Sequence, residues 1–351
     1  MQRSSQILLT QRLPMSLLIG TSTLLLCLLI LGSISFGAMY IPVKTVIAAL
    51  SPFMTDLPEY GQLIIRQVRI PRTLLAIAIG GLLALCGSVM QALFRNPLAD
   101  PGIIGVSAGA SLGAACAIVI VGAMLSTTSL LTFTVVPLSA FVGGALATFA
   151  VYCLGTYQQR SSTTMMLLAG IALSAIAGAG LGILNYVADD QALRDFSLWS
   201  LGSLAGANWH NLILAYATLT LTIICCYRYS NSLNALLLGE AEAGHLGVHV
   251  QQLKRQLILL CALGVGVAVA LAGVIGFIGL VVPHIARQFT GPVHQRLLPI
   301  STLFGALLLL LSDLLARTLV APVEIPVGII TAAIGAPFFL LLLIKQRGYL
   351  S

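Results

Sequence analysis

Asn231–Gln256, NSLNALLLGEAEAGHLGVHVQQLKRQ, is the polar exception in a chain of apolar runs. It carries two Glu, two His, one Lys, one Arg and three Gln, and long apolar segments flank it on both sides. Ser232 can cap a short helix over Leu233–Leu238. Gly239 interrupts that helix. Glu240 to Leu246 then reads as a second one, with Glu240 and Glu242 favouring its N-terminal end and Gly247 closing it in a left-handed cap. Two short helices at a membrane surface, offering Leu237, Leu238 and Leu246, make a docking surface for another protein. An ordinary polar loop between two spans has the same residues, and both readings stay open on this stretch alone.

The rest of the chain sets the fold class. Its 351 residues are 58% hydrophobic and only 8% charged, and the mean hydropathy is +1.04. A soluble domain is closer to a quarter charged. The expectation is an all-α, polytopic membrane protein, a single transmembrane domain over residues 1–351, with no soluble domain of its own. All seven cysteines lie in or at the ends of apolar runs without metal-ligand spacing to His, which suits small membrane-packed side chains. The first apolar run lacks a following small-residue cleavage site and reads as a retained span.

Counting about 20 apolar residues per helix gives about ten spans. They run from Ser16 to Phe36, from after Arg72 to Phe94, from near Ile104, from near Val135, from near Met165, and from Leu212 to Tyr227. Beyond the polar stretch a seventh starts near Leu257. A glycine-rich break, Gly273–Gly279, precedes a short eighth ending near His284. The last two cover Leu298–Leu319 and Val327–Ile344. With an even number of spans, eleven of the 17 Lys and Arg fall on the side of the termini and of Asn231–Gln256, and six on the other. The positive-inside rule then puts both termini and the polar stretch in the cytoplasm. No basic groove with interleaved aromatics appears, so nucleic acid is not an expected partner.

Gly105, Gly109 and Gly113 recur every four residues, a spacing that lets membrane helices approach closely inside one subunit or between two. Gly178, Gly180 and Gly182 loosen the fifth span. Trp199 and Trp209 fall at the interface opposite the termini, and Leu193–Leu204 between them is either a short helix across that mouth or a loop. Catalytic signatures are absent. There is no Gly-Lys phosphate loop, no HExxH, no GxSxG and no paired carboxylate within a span. Only Asp313 and Arg317, four apart near the end of the ninth span, approach an intramembrane ionisable pair. An ion-driven carrier would be expected to show a mid-membrane carboxylate. The chain therefore reads as a translocator that takes its energy from another subunit, and a stand-alone secondary carrier is the alternative of another class.

Six ordered stretches resemble the FecCD-type permeases, the membrane subunits of bacterial ABC importers for iron-siderophores, haem and cobalamin. They are RQVRIPRTLLA (66–76), MQALFRNPLADPGIIGVSAGASLG (90–113), MLLAGIALS (166–174), LLLGEAEAGHLGV (236–248), GFIGLVVPHIAR (276–287) and LARTLVAPVEIPVGIITAAIGAPFF (315–339). The resemblance implies a type II ABC importer permease of about ten helices that pairs with a second copy of itself. Two cytoplasmic ATPases and a periplasmic substrate-binding protein would complete the assembly. It implies further that Gly239, Glu240, Ala241, Glu242, Ala243, His245, Leu246 and Gly247 form the ATPase-coupling element. Arg69, Arg72 and Arg317 would meet carboxylates of the binding protein, and Asn96, Leu98, Thr163 and Thr164 would form the cytoplasmic gate. ATP hydrolysis would belong to the partner, with no enzyme activity, resident cofactor or metal in this chain. LLLGEAEAGHLGV, the run from Ser312 to Phe339 and SLWSLGSLAGANW look most like haem permeases, with ferric siderophores and cobalamin as the alternatives. No histidine falls mid-span, so a haem path would rely on apolar walls and sulfur from Met165 or Met166.

Overall fold

The computed structural model describes residues 14–347 apart from 38, 40, 43, 47–60, 62, 125–133 and 159. Arg3 and Arg12 of the charge count lie outside the described residues, as do the side chains of Arg160, Lys345 and Arg347.

Helix α2, Ile70–Leu93, organises the bundle because nearly every side chain from Thr73 to Leu93 is apolar or small and is buried. It continues without a break from a wider π-helical turn, Ile64–Arg69, into one 30-residue segment. Pro71 is tolerated because it sits in the first turn of α2. Around α2 pack α7 (Trp209–Arg228), α10 (Val250–Ala272), α11 (Ile278–Thr290) and α12 (His294–Thr318). Helix α1, Met15–Ser35, lies mainly on α12, and α13, Val327–Arg347, lies on α11 and α12.

A second group comprises α3 (Val106–Cys116, running on through a π turn to Met124), α4 (Val136–Leu154) and α5 (Thr163–Val187). A Cβ on Gly109 would stand 2.4 Å from the Gly143 carbonyl oxygen, and one on Gly113 would stand 2.1 Å from that of Ser139. The small-residue spacing is therefore used inside the subunit, between α3 and α4. Gly105 departs from the expected stripe. It lies before the helix, with φ +81°, as the turn between a 3-10 segment, Pro101–Ile104, and α3.

Among the described residues, eight helices are long and apolar enough to cross a membrane. Helix α13 adds a shorter apolar stretch, Val327–Leu342, and with the 13-residue α11 the bundle has roughly the ten helices expected. The extents differ at polar ends. The second span begins at Ile64, so Arg69 and Arg72 lie within it. Helix α10 starts at Val250, because Gln251, Gln252, Lys254 and Arg255 extend the helix beyond its apolar part. The Gly273–Gly279 break is present, but α11 runs on to Thr290 rather than ending near His284. Pro283 lies in its second turn and does not stop it. Helix α6, Asp190–Ser200, replaces the expected Leu193–Leu204. It starts earlier because Asp189 accepts the Ala192 N–H at 2.7 Å. A two-residue hairpin, β1 Thr156–Tyr157 with β2 Arg160–Ser161, joins α4 to α5.

Candidate functional site

The polar stretch folds as two short helices. Helix α8, Ser230–Leu236, begins before the expected Ser232 cap and has no side-chain cap of its own. It is held instead by the start of α12. Asn234 Oδ1 accepts the His294 main-chain N–H at 2.9 Å, and Asn234 Nδ2 donates to Gln295 Oε1 at 2.7 Å. Helix α9, Glu240–His245, follows Gly239 at φ +130° and ends before Gly247 at φ +83°, backbone that only glycine adopts without strain. Ala243 is its inward anchor, whereas Ala241, Glu242, His245, Leu246 and Gly247 are exposed. Leu238 and Leu246 are 67% and 64% exposed, large for apolar side chains on so polar a segment. Beside Leu246 a groove of about 580 Å³ opens between Tyr229, Asn231, His249, Gln252 and Gln256.

Glu240 is the one acidic side chain of α9 that turns back. Its Oε1 lies 2.6 Å from Lys254 Nζ on α10. Lys254 is 2% exposed, so this is a buried ammonium whose counter-charge sits on the surface helix. The same ammonium reaches the Ser161 carbonyl at 3.5 Å.

Two further segments were expected at the same end. Asn96 is exposed and its Oδ1 accepts the Leu98 N–H at 2.9 Å, an Asx turn that follows Arg95 at φ +47°. Beyond it Asp100 Oδ1 accepts the Gly102 N–H at 2.7 Å. Burial pushes the Asp100 carboxyl up, and that hydrogen bond partly pulls it back. Thr163 and Thr164 occupy the first turn of α5, where Ser162 Oγ caps the Met165 N–H at 3.4 Å. The 3-10 turn Pro101–Ile104, which follows the Asn96 turn, packs on α5. Met166 is buried against Gly155 and acts as packing, whereas Met165 is half exposed.

The three arginines expected at a docking surface are buried instead. Arg69, Arg72 and Arg317 are 5%, 6% and 4% exposed. Helix α12 starts beside Asn234 and reaches Arg317 23 residues on, so the cluster lies about 35 Å from the polar stretch, at the opposite end of the bundle. Arg72 Nε donates to Asp313 Oδ1 at 2.9 Å and its Nη1 to Glu324 Oε2 at 2.7 Å. Arg317 Nε lies 3.0 Å from Asp313 Oδ2, although its N–H is aimed at the Asp313 carbonyl, and Nη2 donates to Ser33 Oγ at 2.8 Å. Arg69 donates to the carbonyls of Ile34, Ser35 and Met39, at the end of α1. The Asp313–Arg317 pair expected from the sequence exists, but it is one edge of a network that ties α1, α2 and α12 together. Sequence reasoning missed Glu324, Ser33, Lys254 and Ser161. Each bonds to a residue far along the chain, and only the charge of Glu324 and Lys254 could have signalled a role.

An all-α bundle of about ten helices, eight of them long and apolar enough to cross a membrane, with a polar two-helix segment at one end, defines a polytopic membrane protein. The model of the FecCD transport family matches residues 11–345, and the chain belongs to that family. It is 44% identical to the hemin transport system permease protein HmuU of Yersinia pestis, over 96% of this chain and 98% of that one. Identity to the cobalamin import system permease protein BtuC of Halobacterium salinarum is 40%, over 85% and 78%. To the vitamin B12 import system permease protein BtuC of Vibrio vulnificus it is 38%, over 93% and 95%. A solved structure described as the inward-facing conformation of a transporter assigned to the metal-chelate ABC type superposes with a TM-score of 0.78. It is 34% identical, over 95% of this chain and all of that one.

Proposed function

We propose that two copies of this chain form the membrane path of an ABC importer whose cargo is haem. The observation that carries the cargo is the 44% identity to a hemin permease across almost the full length of both chains. Cobalamin is the second reading, favoured by relatives named as cobalamin or vitamin B12 permeases at 38% to 40% identity. The chain itself holds no resident cofactor; haem is substrate. In this reading the Lys and Arg asymmetry puts both termini and α8–α9 in the cytoplasm.

Gly239–Gly247 then meets one of two ATPases. The exposed Leu237, Leu238 and Leu246 beside an open groove supply the apolar contact such docking needs. Asn96, Leu98, Thr163 and Thr164 border the cytoplasmic mouth. At the outer end Arg69, Arg72 and Arg317 face a periplasmic binding protein. Their burial means that they act first as a positively charged, rigid rim. Direct pairing with a partner carboxylate requires the Arg72–Glu324 contact to open, and Glu324, at 39% side-chain exposure, is the accessible member.

The test is reconstitution in ATP-loaded liposomes. The chain with its ATPase and binding protein should accumulate haemin only when ATP is inside, and the chain alone should not. Ion-gradient-driven uptake by the chain alone would establish the secondary carrier instead.

A further inference from the structure

Lys254 is buried, and its one described carboxylate partner, Glu240, sits on the helix that faces outward at the polar end. One turn earlier on α10, and therefore on the same face, stands Gln251. Its Oε1 accepts both the Ser161 N–H at 2.9 Å and the Ser161 hydroxyl at 2.6 Å. Lys254 Nζ approaches the carbonyl of the same serine. Ser161 thus has its main-chain N–H, its hydroxyl and its carbonyl directed at two side chains of α10. The next residue, Ser162, caps α5, and Thr163 and Thr164 follow in its first turn. A contiguous set of polar contacts, 2.6 Å at Glu240–Lys254 and 3.5 Å at Lys254–Ser161, therefore runs from α9 through α10 to the start of α5.

From this we infer that Lys254 is a positioning residue that transmits displacement of α9 to the N-terminus of α5. The inference rests on the proposed reading of Gly239–Gly247 as the ATPase contact and of Thr163–Thr164 as part of the gate. The physical ground is asymmetry. Glu240 is one-third exposed and within reach of a docked partner, whereas Lys254 is not. Moving Glu240 away leaves an ammonium buried without a counter-charge, a state costly enough that α10 must follow or Lys254 must shift onto the Ser161 carbonyl. Either response reaches the hairpin strand β2 and the cap of α5. A pair present only to hold α9 in place would not need the second link to Ser161.

The test uses the complete complex with its ATPase in lipid nanodiscs. A Met165→Cys reporter is introduced where Cys27 and Cys153, the two exposed cysteines, are changed to Ala. Its reaction rate with a maleimide is measured with and without ATP and vanadate. The Lys254→Met complex should retain its ATPase on purification, and the nucleotide-dependent change in rate should shrink roughly tenfold. Lys254→Arg should preserve the change, and the exchange Glu240→Lys with Lys254→Glu should recover at least half of it. If Lys254→Met fails to insert, Lys254→Met with Glu240→Gln leaves no buried charge behind and should show the same shrinkage of the nucleotide-dependent change, read per bound ATPase because Glu240 lies on the docking helix.

A full-size change in Lys254→Met, or an exchange no better than either single variant, overturns the relay. Loss of the ATPase from Lys254→Met also overturns it, by making Lys254 a docking determinant. A reporter insensitive to nucleotide in the otherwise native complex overturns the gate assignment itself. Normal ATPase retention in Leu246→Asp overturns the docking assignment. Those two results separate failure of the wider reading from failure of the relay.

Discussion

Arg72 Nε and Asp313 Oδ1 meet at 2.9 Å across 241 residues of chain, both buried, at the end of the bundle opposite α8 and α9. Asp313 also faces Arg317, so one carboxylate serves two guanidinium groups. Taking it away leaves two buried cations with too few partners, whereas Glu324 is partly exposed and its loss is screened by water.

Asp313→Ala should therefore lower stability by about 3–5 kcal/mol, and Glu324→Gln by about 1 kcal/mol or less. Thermal unfolding of the purified protein, followed by size-exclusion monodispersity, measures both. Equal losses in the two variants would show that the network is not centred on Asp313. The same geometry predicts that reversing Arg69, Arg72 and Arg317 together to Glu abolishes folding, so that variant cannot report on docking.

Glu324→Gln reports on docking instead. It removes one of the two carboxylates in a cluster with three arginines and leaves Asp313 in place. Association with an acidic binding-protein surface should become faster at low salt and converge with the native rate as salt rises, because the Debye length is about 10 Å at 0.1 M. Stopped-flow association across ionic strength checks this, and a salt-independent rate in both proteins would remove the outer cluster from docking.

Leu246→Asp addresses the other end. The side chain is 64% exposed, so an aspartate there is solvated and the fold should survive. Retention of the ATPase on purification, and hydrolysis stimulated by the binding protein, should both fall at least tenfold, the loss of about 1.4 kcal/mol of contact. Glu240→Arg should have a larger effect, because it also sets a second cation against the buried Lys254.

Asp100 gives a pH signature. Its carboxyl is pushed up by burial, more than the Gly102 N–H pulls it down. A raised value in the folded state means that the group favours folding while protonated and loses that contribution as pH rises through its folded-state value. Asp100→Asn keeps an oxygen acceptor for Gly102 without the charge. The variant's Tm relative to the native protein should rise as pH is raised from about 4 to 8, and Asp100→Ala, which loses the acceptor, should be less stable than Asn throughout. A difference between Asn and native that is flat across this range would show that Asp100 carries no cost when ionised.

The spans were legible because apolar runs of the right length admit little else in a chain this hydrophobic. The break at Gly273–Gly279 was legible from glycine alone. Helix ends were less so. Asp189 starts α6 and Arg69 sits inside the second span, and in both cases a polar residue that reads as loop is satisfied by a cap or by a distant carbonyl. Exposure was the larger miss. Arg69, Arg72 and Arg317 read as surface charges because Asp313, Glu324 and the carbonyls of α1 are remote in sequence, and nothing local signals their approach. Lys254 was counted only as an inner positive charge because its burial, not the nearness of Glu240 14 residues before it, is what the sequence leaves unmarked. Gly239 to Gly247, by contrast, was readable from its own residues, since both glycines take the positive φ that bounds a short helix.

The cargo is the last expectation, and the structure narrows how a haem path would work. His284 packs edge-on against Phe338, and His294 is buried and held to Asn234 through Nδ1 at 2.8 Å, which keeps the His294 ring away from a passing haem in this arrangement. Met166 is packed under Gly155. Met165, half exposed at the start of α5, is the sulfur that stays accessible, and a haem would otherwise move along apolar walls such as the exposed face of α5, where Leu168, Ile171, Ile176 and Ile183 stand uncovered. A polar ferric hydroxamate is poorly matched to such a wall, since its hydrogen-bonding groups would lose water without gaining partners. Haemin, a ferric hydroxamate and cyanocobalamin should each be offered to ATP-loaded liposomes that hold the complex and its binding protein. Haemin should stimulate hydrolysis and accumulate, and Ile171→Asp, which puts a charge on that wall, should cut its uptake at least tenfold while leaving the ATPase bound. If cyanocobalamin or the hydroxamate accumulates and haemin does not, the haem assignment is wrong and the permease assignment stands.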